Sequence, residues 1–528
     1  MKISYKYAVA LTASIGLFMA VLDNTIVNVS LAAMEKTFNI TINQIQWVIT
    51  AYFLAQAAVI PAAGYFGTKF GIKRLFITAL VLFTIGSILC GLTAFFGSAG
   101  GDKLLIIFRV FQGIGGGMLF PLATAIAFGV FPPEERGKSS ALIAIPVLLA
   151  PAFGPTIGGL IVDSPLGWPG IFFVNVPVGI LAVILIARIL RPESVERTPV
   201  GSAAEPVDAA RQGGFDFIGL VLSMVGVTLV AYAFTLVSDT RSGSITPQTP
   251  QGVINGWGYA LVWELFVVGL VALVAFAFYE LRVARDPVLD LRLFRSYNFT
   301  IANIMTWITR AVVFGSFFLI PLFLQQFRGL TAVHTGLILI GQGLGGIVGI
   351  QAGSRLYDRV GPRALVVAGM LVLTVSTFLL AGIKSDSDWQ FFLPILFLRG
   401  IGFGWSNLPL QTVALASITG RGLAKASSLF QATGQVFSSI GVSIMSTLLI
   451  QRSTQHAAEI VRAAGGRPPQ NIALLAVVPA LHDVFIIVGI CTAVAAVVGL
   501  LLPARSLKQE RAAMGQPQAS HDHALVEV

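Results

Sequence analysis

Four charged side chains lie inside long apolar runs of the sequence: Asp23, Arg109, Arg310 and Arg399. A charge surrounded by hydrocarbon is costly, and such residues usually serve an ion, a proton or a substrate. Burial favours the protonated form of a carboxyl group, whereas a nearby guanidinium favours the ionised form. The pattern therefore predicts that Asp23 takes up and releases a proton next to Arg109. A permanent structural ion pair is the alternative.

Arg109 is followed by Gln112, which places both side chains on one face of a helix. Because an arginine stays protonated, Arg109 can tune a carboxylate without titrating itself. Three arginines against one acid bias the interior towards positive charge. Arg310 is therefore predicted to act as counter-ion for a neutral, zwitterionic or weakly acidic ligand, with hydrogen bonding to backbone carbonyls as the alternative. The other residues assigned to this cavity are Arg399, Trp307, Phe314 and Trp405.

Composition defines the elements that must position these side chains. The chain has 528 residues, of which 55% are hydrophobic and 11% charged; soluble proteins have about 25% charged residues. About 20 apolar residues span a bilayer as a helix. Fourteen such spans are predicted, at residues 7–30, 45–66, 75–96, 104–130, 139–162, 171–190, 216–237, 258–279, 299–324, 334–354, 364–383, 390–414, 426–450 and 482–502.

The distribution of basic residues predicts the orientation of these spans. With the N-terminus in the cytoplasm, 23 of the 34 Lys and Arg residues fall on the cytoplasmic side, eight fall outside and three lie within spans. This asymmetry follows the positive-inside rule. It predicts a multi-pass protein of the cytoplasmic (inner) membrane with both termini cytoplasmic. The net charge of +10 resides in short loops between spans, which argues against nucleic acid as a partner.

Other chemistries lack the residues they require. Cys90 and Cys491 both lie in apolar runs, so neither a disulfide framework nor redox chemistry is expected. No metal or cofactor is predicted, because no His or Cys cluster lies at membrane depth. In "PPEERGKSS" a proline stands where a phosphate-binding loop needs its first glycine. These features argue against an enzyme or an ATP-driven pump.

The chain contains an internal repeat. The loop "GTKFGIKR" returns as "YDRVGPRA" at an offset of 290, which also relates Arg109 to Arg399, although the glycines of "GIGGG" and "GIGFG" align better at 287. Two six-helix halves, 1–190 and 299–503, are predicted. A cytoplasmic linker at 191–215, an inserted helix pair with its following cytoplasmic loop at 216–298 and a cytoplasmic tail at 504–528 complete the chain. Repeated halves are typical of secondary transporters with a site near the midplane.

Several motifs resemble those of the major facilitator superfamily, specifically its fourteen-span drug:proton antiporter family. "LDNTIVNVSL" (22–31), "GYFGTKFGIKR" (64–74), "RVFQGIGGG" (109–117), "GPTIGG" (154–159), "FDFIG" (215–219) and "DLRLFR" (290–295) carry the resemblance. It implies an all-α membrane protein with the major facilitator fold and a cavity among the first, fourth, ninth and twelfth spans.

The resemblance also assigns two further groups of residues. The gating loops comprise Gly64, Lys69, Gly71, Lys73, Asp358, Arg359, Gly361 and Arg363. The antiporter motif, found in exporters, comprises Gly154, Pro155, Gly158 and Gly159; its proline bends a helix and its glycines permit close helix contact. The sequence departs from the family at Thr68, usually Asp, at Ala150, usually Gly, and after Trp168, where an Arg and a second Trp are missing.

Together these features predict a proton-coupled antiporter that exports drug-like amphiphiles and confers multidrug resistance. Its partners would be protons, a small-molecule substrate, the lipid bilayer and, as an open question, a periplasmic adaptor protein. Two alternatives stay open: a symporter or a lipid or siderophore translocator of the same fold, and a sensor or assembly subunit that transports nothing.

Overall fold

The computed structural model describes residues 4–40, 45, 47–132, 135–191, 216–238, 260–284, 287–416, 418, 422–465, 469 and 471–504. The predicted linker, the outer loop at 239–257 and the predicted tail lie outside these residues, apart from Arg191 and Ala504 at their edges.

Within the described chain, a helix coincides with each predicted span. The helices are α1 (Tyr5–Phe38), α2 (Trp47–Phe70), α3 (Ile72–Leu92), α4 (Gly101–Val130), α5 (Arg136–Val162), α6 (Asn175–Ile189), α7 (Phe217–Ser238), α8 (Ala260–Arg282), α9 (Tyr297–Leu322), α10 (Val333–Tyr357), α11 (Arg359–Leu380), α12 (Trp389–Leu415), α13 (Gly422–Ala463) and α14 (Ile472–Val498). All but α5 are long and apolar enough to cross a membrane by a search of the described residues, and α5 has 27 residues. The predicted all-α membrane fold is confirmed.

Three helix ends lie well beyond the predicted spans. α1 continues to Phe38, α13 to Ala463, and α14 begins at Ile472. The prediction followed the apolar runs, but charged residues end a run without ending a helix. Beyond the predicted end of α13, Arg452 Nε and His456 Nε2 lie 3.7 and 3.1 Å from Asp483 Oδ2 of α14. The two helices therefore stay paired past the apolar layer.

The two halves use the same helix pairings. In the first half α1 packs on α4, α5 and α6, while α4 packs on α2 and α3, and α3 on α6; the second half repeats every one of these pairings eight helices later. Between the halves, α2 meets α13 and α5 meets α10, and α4 and α12 cross to α13 and α5. The fold is thus two six-helix bundles that face each other.

The repeated loop glycines adopt the same backbone conformation. Gly71 has φ 86° before α3, and Gly361 has φ 82° at the corresponding point of the second half. A residue with a Cβ rarely adopts such a φ. The basic residue two positions later also has the same role, since Lys73 donates to the carbonyls of Ala187 and Leu190, and Arg363 Nε donates to the Leu502 carbonyl at 2.7 Å.

One membrane face of the bundle, termed here the N-face, holds the start of α1. There the Arg191 amide donates to the Tyr5 hydroxyl at 2.9 Å. The halves meet near this face through polar contacts: Gln411 Nε2 donates to Thr124 Oγ1 at 3.4 Å, and the Ser140 and Thr412 hydroxyls are 3.2 Å apart. The N-face is therefore closed.

The inserted helices lie beside the junction of the halves. α7 packs on α8 and also contacts α2 and α13, one helix from each half. The Ser443 hydroxyl of α13 donates to the Phe234 carbonyl of α7. A Cβ at Gly226 would lie 2.7 Å from Leu273 Cδ2, so α7 and α8 are closely packed. Movement of one half against the other would therefore change the contacts that α7 makes with α2 and α13.

Candidate functional site

Asp23 is fully buried on α1, at the meeting point of three helices. Its Oδ2 accepts a hydrogen bond from Arg109 Nη1 of α4 at 2.5 Å. Its Oδ1 accepts from Gln112 Nε2 of α4 and from Asn175 Nδ2 of α6, each at 3.0 Å. The structure therefore brings together Asp23, Arg109 and Gln112, the three residues to which the sequence assigned proton coupling.

Arg109 has neutral partners as well as the carboxylate. Its Nη1 also donates to Gln112 Oε1 at 2.7 Å, and its Nε donates to the Val48 carbonyl of α2 at 3.2 Å. The guanidinium carbon lies 3.8 Å from the centre of the Tyr52 ring, a cation–π contact. These contacts would continue to hold the guanidinium if Asp23 became neutral.

The sequence reasoning missed two polar residues of this site. Asn175 donates to the Ser87 hydroxyl at 3.0 Å as well as to Asp23, and Ser87 donates to the Phe172 carbonyl at 2.9 Å. This chain fixes the Asn175 amide so that its NH₂ group faces the carboxylate. A signal was available, because Asn175 is the polar residue in the apolar stretch "IFFVNVPVGI".

The site holds two opposite charges in contact inside the bundle. Both are removed from water, and attraction between them and hydrogen bonds must offset the cost of desolvation. The Asp23 carboxylate accepts three hydrogen bonds and the Arg109 guanidinium has neutral partners of its own, so both members of the pair are held in place by their surroundings.

The glycines of the antiporter motif pack against α1 immediately after Asp23. A Cβ at Gly154 would lie 2.0 Å from Thr25 Oγ1, and one at Gly158 would lie 2.9 Å from Ile26 Cγ1. Gly159 faces the other half, since its Cβ would lie 3.1 Å from Val333 Cγ2 of α10. Pro155 lies within α5, and its side chain is outside the described set. One stretch of α5 therefore connects the helix of Asp23 to the junction of the halves.

Packing of the glycines determines how α4 corresponds to α12. A Cβ at Gly113 would meet the Tyr52 carbonyl, and one at Gly400 would meet the Gln342 carbonyl, which is 290 residues later. Gly117 and Gly404 face the carbonyls of Gln56 and Gly346 in the same way. The glycines are therefore equivalent at an offset of 287, while α2 and α10 are equivalent at 290.

This register corrects the predicted equivalence of Arg109 and Arg399. At an offset of 287, Arg399 takes the position of Gln112, and the buried Leu396 takes that of Arg109. The 290 offset failed here because equivalent contacts between neighbouring helices are separated by three fewer residues in the second half: Gly115 faces the Ala79 carbonyl, 36 residues earlier, and Gly402 faces the Gly369 carbonyl, 33 residues earlier. Asp23 likewise maps onto the buried Val313 at 290. The second half thus lacks both members of the ion pair.

Arg399 is fully buried and bonded to neutral groups within the described residues. Its Nη1 donates to Thr377 Oγ1 at 2.6 Å, and its Nη2 donates to Ser316 Oγ at 2.7 Å and to the Val312 carbonyl at 3.3 Å. These partners belong to α11 and α9. The structure therefore places Arg399 among the core contacts of the second half.

Arg310 lies half-buried on α9, against α13. Its Nη2 donates to Gln431 Oε1 at 2.6 Å. A Cβ at Gly434 would lie 2.6 Å from Arg310 Nη1, so this glycine makes room for the guanidinium. One turn away, Trp307 stacks on Phe437 with ring centres 4.6 Å apart and planes within 1°. Arg310 and Trp307 therefore share one surface of α13.

The remaining predicted cavity residues are not in this arrangement. Trp405 lies beside Gly353 of α10, and Phe314 is 39% exposed. The indole nitrogens of Trp307 and Trp405 are buried and have no hydrogen-bond partner among the described residues. Both indole N–H groups are therefore donors that have no acceptor within the described part of the protein.

Of the predicted gating-loop residues, Gly64 contacts the other half at the N-face, whereas its neighbours contact their own helix. A Cβ at Gly64 would lie 2.8 Å from Ser428 Oγ and 3.0 Å from Lys425 Cα, so α2 and α13 touch here. Thr68, the departure from the family's aspartate, donates to the Tyr65 carbonyl of its own helix at 2.7 Å. Lys69 lies 5.7 Å from the centre of the Tyr65 ring. Arg359 is exposed, and the Asp358 side chain is outside the described set.

Comparison with known proteins adds family relationships to this geometry. The sequence profile of the Major Facilitator Superfamily matches residues 13–442 and 300–521. The chain is 32% identical to the Multidrug export protein EmrB of Haemophilus influenzae, over 84% of the chain and 81% of that protein. It is 29% identical to the Fatty acid resistance protein FarB of Neisseria gonorrhoeae, over 85% of the chain and 82% of that protein. The proton:xylose symporter XylE has a similar structure, with a TM-score of 0.60, 13% identity, and coverage of 96% of this chain and 99% of XylE.

Proposed function

The chain belongs to the major facilitator superfamily, and on this premise we propose that it is a proton-coupled antiporter that exports amphiphilic small molecules. The family and the fold make it a multi-pass membrane transporter rather than an enzyme. Relatives named for multidrug export and fatty acid resistance, over more than four fifths of the chain, support drug efflux as its activity. The observation that carries proton coupling is the buried contact between Asp23 and Arg109.

Protonation of Asp23 is the central step of this proposal. A proton on Oδ2 would cancel the attraction to Arg109 Nη1, and the guanidinium would stay with Tyr52, Gln112 and the Val48 carbonyl. The ion pair can then open without leaving an unsolvated, unbonded cation, which would cost several kcal/mol. α1 and α4 would be free to shift relative to each other.

The antiporter motif provides a route from Asp23 to the junction of the halves. Gly154 and Gly158 fix the distance between α5 and the turn of α1 that follows Asp23. Gly159, on the same helix, abuts α10 of the other half. A small displacement of α1 on protonation would therefore be transmitted to the contact between α5 and α10. This supports alternating access driven by a proton.

The cargo is proposed to be neutral, zwitterionic or weakly acidic. Arg310 and Trp307 offer hydrogen-bond donors on one surface of α13, and the stacked pair of Trp307 and Phe437 offers an apolar face. Acceptor atoms joined to an apolar body fit such a surface. A fatty acid, the compound class in the name of the relative FarB, has this chemistry.

The proposal includes a location and an orientation. The protein would lie in the cytoplasmic membrane with its N-face towards the cytoplasm. The paired ends of α13 and α14 that extend beyond the apolar layer would then lie on the periplasmic side. A periplasmic adaptor protein is a further proposed partner. Co-purification after cross-linking in intact cells would identify it, and a transporter recovered alone would argue against it.

The test uses everted membrane vesicles energised with a proton gradient. Cargo uptake and the response of a pH-sensitive dye are measured together across a panel of acidic, zwitterionic and cationic amphiphiles. Asp23→Asn keeps the size of the side chain and one acceptor oxygen but cannot take up or release a proton, so it should insert normally and lose gradient-driven uptake. The matched control is Asp163→Asn, at the exposed end of α5, which should behave like the wild type.

Each alternative gives a distinct result. A symporter or a lipid or siderophore translocator would move cargo in the opposite direction or accept only those compounds. A sensor or assembly subunit would move none of the panel. Undiminished proton exchange in the Asp23→Asn variant would refute the proposed role of this residue.

A further inference from the structure

Two further carboxyl groups, apart from Asp23, are buried at the N-face end of the inserted helices. Asp216 precedes α7 and is 6% exposed, and Glu280 lies near the end of α8 and is 2% exposed. Gly226 of α7 packs on Leu273 of α8, and Gly269 of α8 packs on Val230 of α7. The two helices are therefore antiparallel, and the start of α7, next to Asp216, lies beside the end of α8, which holds Glu280. This pair lies near the N-face, whereas Asp23 lies far inside α1.

Each carboxyl group has one bonded and one unbonded oxygen. Glu280 Oε1 accepts from the amides of Val288 and Leu289, at 3.0 and 3.4 Å. Asp216 Oδ1 accepts from the Gly219 amide at 2.8 Å. The other oxygens, Glu280 Oε2 and Asp216 Oδ2, are buried and have no hydrogen-bond partner among the described residues. Two buried acceptors without a donor leave unmet hydrogen-bonding capacity.

A proton satisfies this arrangement better than a metal ion does. Two neighbouring carboxylates out of water repel each other, and a single proton on either one removes one charge and converts one unbonded acceptor into a donor. A metal ion would need more ligands, and no group of three or more His, Cys, Asp or Glu residues suited to a metal occurs in the described part of the chain. The ligand class is therefore a proton.

The surroundings connect this pair to the junction of the halves. Among the described residues, the titratable and charged groups that face the pair are Tyr279 of α8 and Lys425 of α13. The backbone of Lys425 is also where α13 touches Gly64 of α2. Lys425 is thus part of the closed N-face and its charge acts on Glu280. Because α7 contacts both α2 and α13, separation of these helices would change the distance from Lys425 to the pair.

We propose that Asp216 and Glu280 form a second proton-binding site, at which one of the two carboxyl groups takes up a proton when the N-face opens. The proton comes from water at the N-face and returns to it. While the N-face is closed, the positive charge of Lys425 favours the ionised pair. A role of this proton in transport rests on the proposed function. Binding of the proton can be tested without measuring transport.

The test is infrared difference spectroscopy of the full-length protein in lipid nanodiscs, titrated from about pH 5 to about pH 9, a range chosen to include buried carboxyl groups. The wild type should show a protonated carboxyl band that disappears on alkalinisation. Glu280→Gln should lack this band, because it removes one carboxyl group together with the repulsion that favours a proton on the other. Its amide oxygen can still accept from Val288 and Leu289. Asp23→Asn should retain it. An unchanged band in Glu280→Gln would overturn the proposal.

A second variant avoids reliance on the folding of Glu280→Gln. Lys425→Met removes the nearby positive charge, so the band should persist to a pH higher by about one unit or more. Arg292→Met, on the loop after α8, is the control and should leave the midpoint in place. An unshifted midpoint in Lys425→Met would refute the link to the N-face. Failure of Asp23→Asn to impair export would instead refute the proposed function, so the two failures are distinguishable.

Discussion

Arg399 of the second half occupies the position that Gln112 occupies in the first half. Gln112 reaches a carboxylate and a guanidinium, whereas Arg399 reaches the hydroxyls of Thr377 and Ser316. In the first half this position holds a neutral amide, Gln112, beside an ion pair. In the second half it holds a cation, Arg399, which is bonded to no carboxylate among the described residues. The two halves share a fold and have divided the chemistry unequally.

Arg399→Gln should therefore change export by less than about tenfold, or 1.4 kcal/mol. The amide can still bond to Thr377 or Ser316, and loss of the buried charge removes a desolvation penalty. Arg109→Gln in the same vesicle assay should abolish gradient-driven uptake, because it leaves Asp23 without its cation. A selective loss of affinity for acidic cargo in Arg399→Gln would show that this arginine contacts cargo.

Asn175→Ala should reduce gradient-driven uptake. The Asn175 amide donates to Asp23 Oδ1, and a hydrogen bond to a charged group contributes about 1.5–3 kcal/mol. Its loss leaves the buried carboxylate with two donors instead of three, both from α4. Uptake is measured in the same everted vesicles. Ser87→Ala, which leaves the contact between Asn175 and Asp23 in place, should reduce uptake less, and equal uptake by the two variants would contradict a role for this contact.

Gly158→Ala should slow export and lower thermal stability. The added Cβ would lie 2.9 Å from Ile26 Cγ1 and 3.1 Å from the Ile26 carbonyl, forcing α5 away from α1. Such overpacking costs about 1–3 kcal/mol. Gly422→Ala at the start of α13 is the matched control, because its Cβ would meet Ile418 at an ordinary 3.5 Å. Equal export by both variants would contradict a role for this close contact.

Arg310→Ala should weaken binding of acidic amphiphiles about tenfold or more, because a hydrogen bond to a charged group contributes about 1.5–3 kcal/mol. Binding of neutral cargo should fall less. Arg310→Lys keeps the charge and should restore part of the affinity. The measurement is tryptophan fluorescence quenching on titration with each cargo, since Trp307 lies one turn from Arg310. Transport limited to quaternary cations and indifferent to Arg310→Ala would defeat the proposed cargo class.

Glu135→Gln should destabilise the protein at neutral pH and have no effect in acid. Burial alone would raise the pKa of Glu135, but hydrogen bonds from Lys6 and Lys138 outweigh it and hold the pKa below its ordinary value of 4.5. A depressed pKa contributes stability above pH 4.5 that disappears as the pH falls through the folded-state pKa.

The effect of Glu135→Gln should be at most about 1 kcal/mol, because the pair is partly exposed. It is measured as the difference in Tm between wild type and variant at a series of pH values. Glu264→Gln, on the exposed surface of α8, should show no such pH-dependent difference. A Tm difference that persists unchanged in strong acid would exclude this role for Glu135.

Much of the fold followed from one-dimensional patterns. Apolar runs located a helix at every predicted span in the described chain, because only a helix or a closed barrel satisfies the backbone in hydrocarbon. The repeated loop paired Gly71 with Gly361, and both glycines have the same positive φ. The ends of α1 and α13 could not be predicted in this way, because each helix continues past its apolar run and contacts a neighbour: Thr37 of α1 accepts from Trp168, and His456 of α13 lies 3.1 Å from Asp483.

The sequence by itself determined the helices of the described chain, the duplication and the candidate residues of the buried ion pair, because composition, period and offset are properties of the chain. Tertiary structure alone decided which of them meet. Asn175 reaches Asp23 from 152 residues away, and Arg399 aligns with Gln112 through glycine packing. Asp216 joins Glu280 in the interior although it lies at the end of an apolar run. These pairings depend on how helices distant in sequence pack together, which the order of residues along one helix does not reveal.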